Sequence, residues 1–495
     1  MKKVYFFSAV AALLISFIQA NAQQVRQLTL DEVIKIAEEQ SPNAFIAKHR
    51  FRASYWQYRT FEAEYRPSLT LTGTTPNYSN AYNRVYNALT QSYEYVQTEN
   101  FQSLGSLALS QNIGPTGGSI SLQSDLTYEK DYTKGKEQFV SVPTSIRLVQ
   151  PILQYNDLKW NKKIEPVRFE AAKKTFLSSI ETVHQTAVMN FFSLALAQIN
   201  QQIAEMNYSN ADTLYRIANG RYELGTISED ELLQMQLSWL NAETERKSAA
   251  MNLRDREIRL RSFLGFNDQV RLELILPNSI PQLQVSPQEV FDLAMQNNPE
   301  ILQQKLTVLQ AQSSVAQAKA QRGLNANIIA NFGLQGRQEN IEDAYRYDYL
   351  NRNQGVRVSF SLPILDWGLG RGRFKMAQSS LELAQVQSQQ AITDFEQNLY
   401  LDVEQFNLQS YQVATAAKSD TVAMRRYEVT KQRFLIGKIA VLDLNDADTR
   451  KDQNRRAYVQ ALQSYWNYFY NLRALTLYDF INRKPIETDY EQLVQ

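Results

Sequence analysis

Two periodicities of apolar residues alternate along this chain of 495 residues. Ile180, Val183, Ala187, Phe191 and Leu194 recur at steps of three and four, and Ala195, Ile199, Ile203 and Met206 continue a neighbouring stripe. That spacing places an apolar stripe on a helix whose seam drifts as in a coiled coil. No proline interrupts the stretch between Pro166 and Pro277, nor the one between Pro363 and Pro485, and both are rich in good helix formers. Long helices are predicted over about 157–219 and about 372–436, each roughly 90 Å at ~1.5 Å per residue. A helix of that length implies a rod or a tube rather than a compact core.

Between these stretches the period is two. Val356, Val358, Phe360 and Leu362 alternate with Arg357, Ser359 and Ser361, and Ala326, Ile328, Ala330, Phe332 and Leu334 alternate with mostly small or polar neighbours. Leu69 with Leu71, Leu107 with Leu109, Ile120 with Leu122, and Ile146 with Leu148 repeat the habit. Strands are predicted over about 68–150 and 325–363. One apolar and one polar face suits a half-buried sheet, and equally a membrane barrel with lipid outside and water inside.

The pattern is written twice. A shift of 257 superposes Glu32, Val33, Ala37 and Pro42 on Glu289, Val290, Ala294 and Pro299. Further along, a shift of 212 brings Pro151-Ile-Leu153 onto Pro363-Ile-Leu365, and Arg221-Tyr-Glu-Leu-Gly-Thr-Ile-Ser228 onto Arg433-Phe-Leu-Ile-Gly-Lys-Ile-Ala440. Such self-similarity marks an internal duplication. The first repeat covers 23–284 and the second 285–480, with a tail over 481–495. Each comprises short helices (about 28–66 and 286–322), strands, a long helix, a tip (221–228 and 433–440) and a return helix (about 229–264 and 441–477). Gly225 and Gly437 mark the tips, because glycine just past a helical run takes positive φ without penalty. The first repeat holds about 45 more residues than the second between its Pro-anchored helix and its long helix. They fall around 82–136, where they could enlarge a barrel or cap it.

Composition narrows the class. Residues 1–22 read as a secretory signal peptide: Lys2 and Lys3, an apolar run from Val4 to Ile18, then Ala20-Asn-Ala22. There is no cysteine, so no disulfide framework or acylated cysteine is available. No later run of some 18 apolar residues offers a helical span. A net charge of +1 and a mean hydropathy of −0.42 give no basic nucleic-acid surface. Membrane insertion would have to use strands, with aromatics such as Tyr78, Tyr128, Tyr155, Trp160 and Trp367 as interfacial girdles. One chain has too few strands to close a wide barrel, and open sheet edges cannot face lipid. Several copies must therefore share one barrel.

The order of signal peptide, short helices, strands, Gln150-Pro-Ile-Leu153, long helix, glycine tip and return helix, all repeated, resembles the TolC-like outer-membrane efflux family. The junction Leu362-Pro-Ile-Leu-Asp-Trp-Gly368 is similar to that family's strand-to-helix signature. The resemblance implies a mixed α+β membrane protein: a homotrimeric transmembrane β-barrel continued by a long periplasmic α-helical barrel. It implies the outer membrane of a Gram-negative bacterium and a passive exit duct of a tripartite efflux or type I secretion system. The partners would be two further copies of itself, a periplasmic adaptor (membrane fusion) protein, an inner-membrane transporter and outer-membrane lipid, with no nucleic acid and no cofactor.

Carried over residue by residue, the adaptor-docking tips are Arg221, Tyr222, Leu224, Gly225, Thr226, Ile227 and Ser228, and Arg433, Phe434, Ile436, Gly437, Lys438, Ile439 and Ala440. Asp443 and Asp446 match paired acids that ring the periplasmic entrance. Three residues apart on a helix they share a side, and a ring of such carboxylates would favour cations and repel itself when closed. Glu231 stands at a comparable place after the first tip. The alternative is that all three acids simply favour a helix N-terminus. Phe434 and Ile439 depart from the tyrosine and arginine that can lock the closed entrance, leaving Arg433 or Lys438 for that role.

No enzyme emerges. His49 and His184 have no partners at metal-ligand spacing. Gly368-Leu-Gly-Arg-Gly372 precedes a helix as phosphate cradles do, but lacks the Lys-Ser/Thr that would follow. The principal rival is a non-transporting periplasmic or surface coiled-coil scaffold whose strands form ordinary soluble sheets.

Overall fold

The computed structural model describes residues 24–266, 270–277, 279–436, 438, 439 and 441–494. The expected signal peptide and the tip residues Gly437 and Ala440 lie outside them. Strand β1 (Gln24–Thr29) leads into helices α1 (Leu30–Gln40) and α2 (Pro42–Glu64). Four strands follow: β2 (Ser68–Asn87), β3 (Ser92–Ile113), β4 (Gly118–Asp131) and β5 (Lys136–Ile152). Helices α3 (Asp157–Glu223) and α4 (Glu229–Leu264) and strand β6 (Val270–Ile275) complete the first half. The second half holds α5 (Pro287–Asn297), α6 (Pro299–Gln321), β7 (Asn325–Gln338), a short α7 (Ile341–Ala344) and β8 (Asn351–Ser361). Then come α8 (Leu369–Leu435), α9 (Val441–Thr476) and the two-residue strands β9 (Tyr478–Asp479) and β10 (Lys484–Pro485).

The helices of the two halves agree in length pair by pair. α1 and α5 have 11 residues each, α2 and α6 have 23, α3 and α8 have 67, and α4 and α9 have 36. The strands do not agree. β2 follows α2 as β7 follows α6, and β5 leads into α3 as β8 leads into α8, but β3 and β4 have no counterpart in the second half. The surplus residues of the first repeat are therefore strands in the middle of a sheet, not a cap upon it.

Two local results differ from the sequence expectation. Residues 24–29 form a strand instead of the approach to a helix, paired in parallel with β6 from Gln24↔Val270 to Thr29↔Ile275. Its partner is far away in the chain, so no local period could reveal it. The second long helix begins at Leu369, ahead of Gly370 and Gly372. The Asp366 carboxylate accepts from the amides of Gly368 (2.9 Å) and Gly370 (2.7 Å), satisfying donors that the first turn leaves open. Those contacts also fill with the protein's own carboxylate the place where a phosphate would have to sit.

The described residues fall into two compact units. One, from residues 24–52, 172–301 and 392–494, has a continuous apolar core of Leu28, Val33, Phe191, Leu264, Phe406, Tyr465 and their neighbours. Each such side chain contributes about 1.5–3 kcal/mol when fully buried. The other, residues 53–171 and 302–391, holds the large sheet, and its small core of Ile164, Ala171 and Leu306 lies among helices. Among the described residues the sheet has no comparable core: the short α7 packs on it where the Ser141 hydroxyl donates to Ala344 O, both residues being buried.

Candidate functional site

The large sheet is antiparallel throughout, in the order β2-β3-β4-β5-β7-β8. Its register sorts the side chains by face. One row reads Leu69↔Leu109↔Leu122↔Ile146↔Phe332, all of them exposed, and ends on Gln354 of β8, whose Val356, Val358 and Phe360 lie lower on the same face. The adjacent row, on the opposite face, reads Ser68↔Ser110↔Ser121↔Arg147↔Asn331↔Gly355. Higher on the apolar face Phe101, Tyr128 and Phe139 form an aromatic row, with ring centroids 6.1 and 5.1 Å apart. At the other end Phe360 lies opposite Ala326, and Trp367 of the junction that follows is exposed as well. Along β7, from Ala326 to Gln338 at the level of Tyr128, the band measures roughly 40 Å, or about 30 Å in height at a strand tilt of ~40°. That is the hydrocarbon thickness of a bilayer. Among the described residues no helix is long and apolar enough to cross a membrane.

The first tip is built from the backbone. Gly225 has φ +69°, its amide donates to Tyr222 O (2.8 Å), and the Thr226 amide donates to Arg221 O (2.9 Å). Together these bonds end α3 as a Schellman motif, which a residue with a Cβ would strain. In the second tip the Lys438 amide donates to Arg433 O (3.0 Å), the equivalent bond 212 residues on. Tyr222 and Leu224 in the first tip and Ile436 in the second present apolar side chains to solvent. Arg221, Thr226, Ser228, Arg433 and Lys438 are also exposed, and Ile227 and Ile439 are half-buried.

The three candidate acids have different surroundings. Glu231 closes a capping box with Ser228: it accepts from the Ser228 amide (3.0 Å), while the Ser228 hydroxyl accepts from its own amide (3.2 Å). Its counterpart in the second repeat is Asp443, but the residue equivalent to Ser228 is Ala440, which has no side-chain oxygen to reciprocate. Asp443 is exposed, and no ion pair holds it among the described residues. Asp446 accepts from Arg426 across the hairpin (2.7 Å) and from Arg450 one turn on (2.9 Å). The Arg426 hydrogen bond, then that of Arg450, holds its carboxyl below the usual range. The positions equivalent to Arg426, Asp446 and Arg450 in the first repeat are Leu214, Gln234 and Ser238, so this bridge exists in one hairpin only.

His184, which showed no ligand partners in sequence, sits in a buried charge cluster. Nε2 lies 3.2 Å from Glu38 and Nδ1 3.4 Å from Glu181. Glu181 is 1% exposed and receives a two-pronged ion pair from Arg473 at 2.8 and 2.9 Å, while Arg473 also reaches Asp479 at 2.8 Å. The i−3 acid was visible in the sequence; the partners on α1 and α9 were not. Burial opposes the imidazolium, but donation from its ring nitrogens to the Glu181 and Glu38 carboxylates outweighs it and raises its pKa from 6.5 to about 9. Burial likewise opposes the Glu181 carboxylate, yet the His184 and Arg473 hydrogen bonds bring it below the ordinary carboxylate value. The raised histidine stabilises fully below pH 6.5 and loses its contribution, on the order of 3 kcal/mol, as pH rises through about 9. The lowered carboxylate loses its contribution as pH falls. Denaturant midpoints should therefore peak between the carboxylate range and pH 6.5, and His184→Gln should flatten the alkaline limb. An unchanged alkaline limb in that variant would show that His184 does not carry it.

Comparison with known proteins follows the same outline. The profile of the family described as "Outer membrane efflux protein" matches residues 116–266 and 290–476. No curated protein sequence matches the chain. Among solved structures it is similar to the Campylobacter jejuni CmeC outer membrane channel, with 16% identity and TM-score 0.65 over 94% of this chain and 88% of that one. It is similar to the Vibrio cholerae outer membrane protein VceC, at 14% identity and TM-score 0.61 over 92% and 97%. It also resembles the open state of the Neisseria gonorrhoeae MtrE outer membrane channel, at 15% and 0.51 over 93% and 91%. At these identities the likeness is one of fold. The family match, spanning both halves, carries the assignment: the chain belongs to the outer membrane efflux protein family and resides in the outer membrane with a large periplasmic part.

Proposed function

We propose that three copies of this chain form a passive exit duct, with the large sheet as its wall in the membrane and the helical hairpins as its periplasmic wall. The observation that carries this reading is the sheet: one face carries Leu69, Leu109, Leu122, Ile146 and Phe332 with Val356, Val358 and Phe360 of β8, the other is largely polar, and among the described residues β2 and β8 have no outer partners. A soluble scaffold would need to cover that apolar face, and the strands have no core of their own. The two tips dock a periplasmic adaptor, offering Tyr222 and Leu224 in one hairpin and Ile436 in the other, and an inner-membrane transporter supplies the energy. Purified protein in planar bilayers should form channels and run as a heat-sensitive trimer; a protein without channels that fractionates as soluble sinks the proposal.

The entrance is set by Asp443 and Asp446, with Glu231 at the same end but engaged by its cap. Asp443 supplies free negative charge, and Asp446 ties α8 to α9 through Arg426. Asp443→Asn should weaken divalent-cation block of the channel several-fold. Asp446→Asn removes the anchor of both arginines and should raise the open probability instead. Equal block in wild type and Asp443→Asn would remove the charge ring from the mechanism.

At the tip, replacing Gly225 with tryptophan meets nothing within 4 Å and strains the turn by about 1–2 kcal/mol. Trimers should survive in the membrane while export falls at least tenfold. Normal export would place adaptor docking elsewhere.

A further inference from the structure

The exposed edges of the sheet define how copies join, and the inserted strands define how wide the result is. We propose that β8 of one copy pairs antiparallel with β2 of the next, with Ser361 opposite Ser68, so that three copies close a wall of eighteen strands. This rests on the trimeric duct proposed above, and it assigns the seam.

Three observations point there. First, β2 and β8 are the outer strands of the six, and among the described residues neither has a partner on its far side. An edge of 20 residues and one of 11 cannot stay open in lipid, because their amides and carbonyls would go unsatisfied. With six strands per copy, the two edges run in opposite directions, as an antiparallel seam requires.

Second, the faces agree in that register. With Ser361 beside Ser68, Phe360 comes beside Leu69 and Val358 beside Leu71, all exposed and all on the apolar face. On the other face Ser359 meets Thr70 and Arg357 meets Thr72. A slip of one residue would put Phe360 on the polar side, so the pairing is specified by pattern.

Third, the geometry closes. The row through Ser68 crosses the sheet to Gly355, six positions before Ser361. A flush seam therefore advances the register by six residues per copy, eighteen around the barrel. With ~3.3 Å along a strand and ~4.8 Å between strands, that shear tilts the strands by about 35°. The value lies in the range of transmembrane barrels. The backbone diameter is then roughly 33 Å, against roughly 22 Å had β3 and β4 been absent and the wall held twelve strands. The insertion thus widens the membrane wall, and the narrow point of the duct is left to the helical end.

The chain has no cysteine, so paired substitutions report the seam without background. Leu71→Cys with Val358→Cys, made in the full chain in outer membranes and mildly oxidised, should give a covalent trimer that survives heating. Neither single variant should. Leu122→Cys with Val358→Cys tests the rival wall, in which β4 meets the neighbouring β8 and the β2–β3 hairpin lies outside. Covalent trimers from that pair alone would overturn the eighteen-strand wall. No cross-link from either pair, in protein that still runs as a heat-sensitive trimer, would overturn the seam and leave the duct standing. A chain that runs as a monomer before oxidation would overturn both.

Discussion

Arg473→Ala should lower the unfolding free energy of the helical part by about 3–5 kcal/mol, read as a shift in the denaturant midpoint by circular dichroism. The size follows from what remains. Glu181 is 1% exposed and owes its charge to His184 and to two Arg473 hydrogen bonds at 2.8 and 2.9 Å. Removing the guanidinium strands that carboxylate and also frees Asp479, which Arg473 holds at 2.8 Å. Lysine at 473 should recover only part of the loss, because it cannot make the planar two-pronged contact. Arg259 provides the contrast. It also pairs with an acid, Asp255, at 2.9 Å, but on an exposed helix surface, so Arg259→Ala should leave the midpoint unchanged. A shift below about 1 kcal/mol in Arg473→Ala would mean that the cluster is solvated and not part of the core.

The second large effect is expected from neighbouring residues on β7. Phe332 lies halfway between the aromatic row at Tyr128 and the lower row at Phe360, on the apolar face. Phe332→Lys places a charge near the middle of the hydrocarbon band and should cost about 2–4 kcal/mol, depleting the protein from the outer membrane. Asn331→Lys puts the same charge one position away on the polar face, where Arg147 already lies opposite. It should insert normally and shift ion selectivity toward anions. Equal tolerance of both lysines would show that the sheet does not divide lipid from water along this register.

Much of the architecture was legible because it is local. Helix length follows from the persistence of the three-four step and, beyond Pro166 in the third turn of α3, from the absence of proline, and the alternation around Phe332 and Val358 needs only nearest neighbours. The four alternating segments of the first repeat against two in the second were visible, but neither the number of strands in one sheet nor their order followed from them. The Ser228–Glu231 box could also have been read from its spacing, and doing so would have separated Glu231 from Asp443 at once.

Other features join residues too distant for any period to relate. Strand β1 exists because β6 supplies its hydrogen bonds. Asp446 meets Arg426 because α8 and α9 turn back on each other, and His184 and Arg473 come together from different helices around Glu181. By itself the sequence determined the duplication, the helix lengths, the glycine stop at Gly225 and the amphipathic habit of the strands. These rest on backbone preference and on side-chain spacing within one element. Only the tertiary structure decided that the surplus residues stand inside the sheet, that β2 and β8 are its edges, and which acids are already neutralised. Register and ion pairing depend on which distant segments share a surface, and that is a property of the packed chain.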